Sequence, residues 1–168
     1  GAASAPSRFT RSVPVSVLDP LTAIATDVTA GAGSDYERAV ALQEWFTASG
    51  GFNYSLDVPD PQGRQPLLAF LEDRVGFCQQ FATGMAAMAR SLGIPARVVV
   101  GFTGGEAQPD GTFVVTASDA HAWPELWFES VGWVRFEPTP ALGTAAVEPP
   151  AYTPTQPEPV EPPTAETP

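Results

Sequence analysis

The sequence contains no lysine, and only one histidine and one cysteine among its 168 residues. A single cysteine excludes a disulfide within the chain. One cysteine and one histidine are also too few for an ordinary zinc site, and no segment has the pattern of a dedicated calcium loop. We therefore expect no metal and no cofactor.

Positive charge is scarce, because the chain has only eight arginines against 19 acidic residues, which gives a net charge of −11. A nucleic-acid partner requires a basic patch that displaces counterions, so we expect no nucleic-acid binding. The sequence shows neither a secretory signal nor an apolar run of membrane-spanning length. We treat the chain as an excised fragment, so these absences say little about its parent.

The composition divides the chain into three parts. Residues 1–18 are polar, with a weak Val13, Val15, Val17 alternation that predicts an extended arm. Residues 19–140 would form the folded domain. Residues 141–168 contain many prolines and glutamates and no basic residue, which favours a disordered, extended spacer. A recognition peptide for a proline-binding module is the alternative.

Within the domain, helices precede strands, which predicts an α+β fold. Asp19-Pro20 is a plausible helix start, and Ser34 with Glu37 fits a capping box for the next helix. Pro66 begins a short third helix. The β-branched run 96–102 predicts a buried strand, and segments 113–116, 121–128 and 133–137 predict further strands.

Cys78 follows a glycine-led turn at the start of a helix in which Phe81, Met85, Met88 and Leu92 recur at helical spacing. A thiol in the first helical turn lies near unpaired N–H groups and the positive end of the helix dipole. Both favour the thiolate, which is the nucleophilic form. The same N–H groups can receive an oxyanion. Cys78 is therefore a candidate nucleophile, although a lone cysteine can also be inert packing.

A cysteine nucleophile needs a base, and the base needs a third group that orients it. His121 lies on a predicted strand and Glu137 on its neighbour. A two-residue turn at Glu129-Ser130 would leave the two one register step apart, a step that a bulge at Pro124 or Gly132 can absorb. Asp119, two residues from His121, is a competing orienter.

Two residues beside these are candidate substrate contacts. Trp123 shares the strand face of His121 and could wall a cleft, with Trp127 and Trp133 better interpreted as sheet packing. Gln79 follows the thiol on the first helical turn, where a solvent-facing role explains it equally well. Trp45 lies in an apolar helix and is interpreted as core.

Four segments together resemble the transglutaminase-like superfamily: 76–78 (GFC), 91–97 (SLGIPAR), 118–123 (SDAHAW), and 132–139 with its Gly-Trp and Phe-Glu-Pro-Thr. They occur in the family's order over roughly residues 20–140. The similarity is greatest to extracytoplasmic domains of membrane-anchored bacterial transglutaminase-like proteins.

The resemblance implies a papain-like fold, with the nucleophile helix packed on an antiparallel sheet. It also implies a catalytic triad of Cys78, His121 and the residue at 137. The family pattern has Asp at the third position, where this chain has Glu137.

The activity implied is acyl transfer through a thioester, from a peptide or protein carboxamide to an amine (transglutaminase) or to water (amidase or protease). A monomeric domain in the cell envelope, on a membrane-anchored parent chain, is expected. The alternative is a catalytically degenerate domain that binds an envelope partner or acts as a scaffold, which the Asp-to-Glu departure favours.

Overall fold

The computed structural model describes residues 15–140. Their helices are α1 (Val15–Val28), α2 (Asp35–Glu44), α3 (Pro66–Asp73) and α4 (Cys78–Ser91). Their strands are β1 (Asn53–Tyr54), β2 (Val75–Gly76), β3 (Ala96–Phe102), β4 (Glu106–Ala107), β5 (Phe113–Val114), β6 (Ala120–Phe128) and β7 (Gly132–Arg135). The α+β class expected from the sequence is confirmed. The predicted spacer at 141–168 lies outside the described residues.

The helix starts follow local sequence signals, with one exception. The Ser34 hydroxyl accepts a hydrogen bond from the Glu37 amide at 3.2 Å, which caps α2 as predicted. The other half of the predicted capping box differs, because the Glu37 carboxylate accepts from the Gly33 amide at 2.7 Å. Pro66 is the first residue of α3. The start predicted at Asp19-Pro20 is wrong, because α1 begins at Val15 and Pro20 lies inside it. So close to the start, the proline removes a single backbone hydrogen bond, and residues 15–18 are helical rather than an extended arm.

The core is formed by the inward faces of the four helices against one face of the larger sheet. Phe81, Met85 and Met88 are fully buried, as the helical spacing predicted, and so is Phe46. Each such side chain contributes about 1.5–3 kcal/mol to folding. After α2 the chain continues as a π-helical turn, Trp45–Ser49, which ends at Gly50.

The larger sheet is antiparallel, with strand order β3-β6-β7. Because β3 is an edge strand of this sheet, the prediction that residues 96–102 are buried is wrong beyond Ala96. Val100 is 70% exposed and Phe102 59% exposed. The second half of β3 extends past α4 and is not packed against it. A β-branched run in the sequence does not predict whether a helix packs on the strand.

Two smaller sheets complete the fold. β1 and β2 pair in parallel, Tyr54 opposite Gly76, and β4 and β5 form a hairpin. No helix within residues 15–140 combines the length and apolar character needed to cross a bilayer.

Candidate active site

His121 and Glu137 form a buried hydrogen bond. The His121 Nε2 and Glu137 Oε2 atoms lie 2.8 Å apart, and the side chains are only 9% and 4% exposed. An ionised carboxylate can only accept, so Nε2 is the donor of this hydrogen bond. Among the described residues, Glu137 is therefore the partner of Nε2, and no hydrogen bond engages Nδ1.

The β6–β7 hairpin decides that these residues meet. Phe128 lies opposite Gly132, so the loop contains three residues rather than two. The extra residue removes the one-step mismatch of a two-residue turn and places His121 and Glu137 on the same sheet face. In this register position 137 falls opposite 123 and diagonal to 121. The longer side chain of glutamate suits such a diagonal contact.

Three further hydrogen bonds fix Glu137. Its Oε2 accepts from the Arg135 guanidinium at 3.3 Å, and its Oε1 from the Thr139 amide at 3.3 Å. Its own amide donates to Gln43 Oε1 at 2.8 Å. Gln43 is buried and was not identified from sequence, where a glutamine beside the apolar face of α2 was the only available signal.

Asp119, the competing orienter, has other partners. Its Oδ2 accepts from the Thr116 amide at 2.6 Å and from the Thr116 hydroxyl at 2.8 Å. These hydrogen bonds hold the pKa of Asp119 below its usual range. Asp119 thus closes its own short turn, and Glu137 is the carboxylate that reaches His121.

Cys78 is the first residue of α4 and is half-buried. The preceding amide, that of Phe77, donates to Gln80 Oε1 at 2.9 Å, whereas the Cys78 amide has no hydrogen-bond partner within residues 15–140. A thiolate at 78 would therefore lie at the positive end of α4, beside an unpaired donor.

Chain topology brings Cys78 and His121 to the same end of the domain. α4 returns through a tight turn at Gly93 into β3, and β3 is antiparallel to β6. Hence α4 runs parallel to β6, and their first residues lie at one end. Among the described residues, no hydrogen bond joins the sulfur to the ring; catalytic contacts commonly tighten only when substrate binds.

The two candidate substrate contacts flank this end. The Trp123 ring stacks beside His121, with centroids 6.2 Å apart. The Trp123 Nε1 atom is buried without a hydrogen-bond partner in the described chain. Gln79 is exposed and lines a cavity of about 770 Å³ with Phe77 and Thr83.

The remaining tryptophans pack as interpreted from sequence. Trp127 and Trp133 contact each other edge-on at 5.4 Å. Trp45 packs against Phe46 and Phe52, with centroids 5.0 and 4.8 Å away.

No group of three histidine, cysteine or carboxylate side chains within residues 15–140 is arranged to hold a metal ion.

Comparison with known proteins agrees with the fold. The family model described as "Transglutaminase-like superfamily" matches residues 22–138. Protein-glutamine gamma-glutamyltransferase of Pseudomonas aeruginosa is 41% identical over 99 residues, covering 58% of this chain and 15% of that protein. The uncharacterized protein YebA of Bacillus subtilis is 33% identical over 135 residues, covering 76% of this chain and 18% of that protein.

Among solved structures, the periplasmic domain of TgpA from Pseudomonas aeruginosa, bound to ethylmercury, has a TM-score of 0.70 at 34% identity. The match covers 80% of this chain and 50% of that one. The chain thus spans less than a fifth of the two curated relatives and half of the solved domain. These similarities identify an extracytoplasmic domain, as the sequence predicted. The chain belongs to the transglutaminase-like superfamily.

Proposed function

We propose that this domain is a cysteine acyltransferase or hydrolase in which Cys78 is the nucleophile, His121 the base and Glu137 the residue that orients the base. The observation that carries the proposal is the buried 2.8 Å bond from His121 Nε2 to Glu137. It commits one ring nitrogen to the carboxylate and leaves the other, Nδ1, to exchange a proton with a thiol.

The first half-reaction forms a thioester. Nδ1 of His121 takes the thiol proton, and the Cys78 sulfur attacks the carbonyl carbon of a peptide or protein carboxamide. The carbonyl π electrons move to the oxygen, giving a tetrahedral oxyanion. When the carbonyl re-forms, the C–N bond breaks and the imidazolium protonates the departing ammonia or amine.

The second half-reaction releases the acyl group. His121 removes a proton from a primary amine or from water, the new nucleophile attacks the thioester, and the thiol is regenerated. The two outcomes share every residue and differ in access of water to the site. Trp123 and Gln79 would contact the substrate. The parent chain would be anchored in the membrane of the cell envelope.

Mass spectrometry tests the proposal. The 168-residue chain is incubated with a glutamine-containing peptide, with and without a primary amine. The masses of the peptide and of the protein are then measured. We expect amine incorporation, deamidation or cleavage of the peptide. The activity should be lost in Cys78→Ala and His121→Ala and kept in Asp119→Asn, the matched carboxylate variant.

An unmodified peptide, together with a Cys78 thiol whose alkylation does not depend on His121, would favour the non-catalytic alternative.

A further inference from the structure

The proposed chemistry needs donors for an oxyanion, and the backbone supplies one. The Phe77 amide already donates to Gln80, whereas the Cys78 amide, beside the sulfur, has no hydrogen-bond partner among the described residues. Oxyanion sites use preorganised donors, and a single amide is commonly paired with a second group.

Strand β1 brings a tyrosine next to the chain that leads into α4. The Asn53 amide donates to the Arg74 carbonyl and the Ser55 amide to the Gly76 carbonyl, both at 2.8 Å. Tyr54 therefore lies directly opposite Gly76, two residues before the nucleophile. This pairing is parallel and joins segments distant in sequence, so no local spacing of residues predicts it.

The Tyr54 side chain projects towards the first turn of α4. Directly paired residues of a sheet point to the same face. At Gly76 that face meets both α3 and α4, because a Cβ there would lie 2.8 Å from the Phe70 ring and 2.9 Å from Gln80 Oε1. Tyr54 therefore lies on the face of the β1–β2 pair that meets the first turn of α4.

The Tyr54 hydroxyl is available as a donor. Tyr54 is half-buried, and its hydroxyl makes no hydrogen bond within residues 15–140. Burial and the neighbouring Cys78 together raise the pKa of Tyr54. The hydroxyl is therefore protonated at neutral pH, and the influence of the cysteine on it reflects their proximity.

We propose that Tyr54 is the second oxyanion donor of this site. The inference rests on the proposed function. When the Cys78 sulfur bonds to the carbonyl carbon, the oxygen gains the π electrons and accepts hydrogen bonds from the Cys78 amide and the Tyr54 hydroxyl. Neither donor loses its proton. The bonds are strongest while the charge is on oxygen, so the hydroxyl lowers the barrier rather than tightening substrate binding.

Two reagents with different transition states test this role in Tyr54→Phe. Acylation of Cys78 by p-nitrophenyl acetate passes through a tetrahedral oxyanion, whereas alkylation by iodoacetamide displaces iodide at a saturated carbon and forms none. We expect Tyr54→Phe to slow acylation about 10²–10³-fold and to leave alkylation within about twofold. Tyr36→Phe, the same change at a tyrosine that packs on Phe128 and Phe136, should alter neither rate.

Equal acylation of wild type and Tyr54→Phe would refute the role of Tyr54 while leaving the proposed function intact. A parallel fall of both rates would also refute it, because a structural defect affects both reagents. A wild-type protein that is alkylated but never acylated would overturn the proposed function and this inference with it.

Discussion

Replacing Glu137 by aspartate, the residue usual in the family, should damage this particular site. The change removes one methylene from a side chain that reaches His121 across a diagonal. The present 2.8 Å bond would open to about 4 Å, beyond hydrogen-bonding distance. A hydrogen bond to a charged group contributes about 1.5–3 kcal/mol. We therefore expect kcat/KM for acylation to fall about 10- to 150-fold.

Glu125→Asp is a matched control for this experiment. Glu125 lies on the same face of β6 as His121 and is ion-paired to Arg97 at 2.6 Å. The same chemical change therefore shortens a second paired carboxylate of the sheet. It should leave acylation within about twofold. Thermal melts of both variants would establish that each is folded. A folded Glu137→Asp protein with wild-type kcat/KM would refute the claim that Glu137 orients His121 across the diagonal.

Four further predictions concern the surroundings of the site. Asp119→Asn should leave acylation within about twofold, and a tenfold loss would return Asp119 to the site. Because the pKa of Asp119 is lowered in the folded state, its stabilisation of the turn at Thr116 is present above about pH 4 and lost as the pH falls further. The protection factor of the Thr116 amide, which corrects for the intrinsic pH dependence of exchange, should fall below that pH and stay constant above it. Gln43→Ala removes the acceptor of the buried Glu137 amide and should reduce the free energy of unfolding by about 1–3 kcal/mol, measured with urea. Gly76→Ala places a Cβ 2.8 Å from a phenylalanine ring of α3 and should cost a similar amount; an unchanged urea midpoint would contradict either estimate.

The sequence predicts those parts of the fold that depend on neighbouring residues. The Ser34 cap, the Pro66 start and the buried face of α4 each depend on residues within one or two turns of each other. Local signals also placed Cys78 at a helix start. Where local rules conflict, as at Pro20, packing of the helix against the core decides the boundary.

What could not be predicted depends on contacts between distant segments. One loop residue between β6 and β7 determines whether His121 and Glu137 share a face. The exposure of Val100 depends on which strand is outermost. Tyr54 reaches the start of α4 only through the β1–β2 pairing. Each of these features requires the assembled sheet order and register.

The most direct test of the proposed Cys78–His121–Glu137 triad is the rate at which iodoacetamide alkylates Cys78 at neutral pH. The rate is compared in the wild type, His121→Ala and Glu137→Ala. The chain has a single cysteine, so any adduct reports on this thiol. If the imidazole shares the thiol proton and Glu137 holds the ring, alkylation should be at least about tenfold slower in both variants than in the wild type. Equal rates in all three proteins would contradict the account, because the sulfur would then be independent of the ring and its carboxylate.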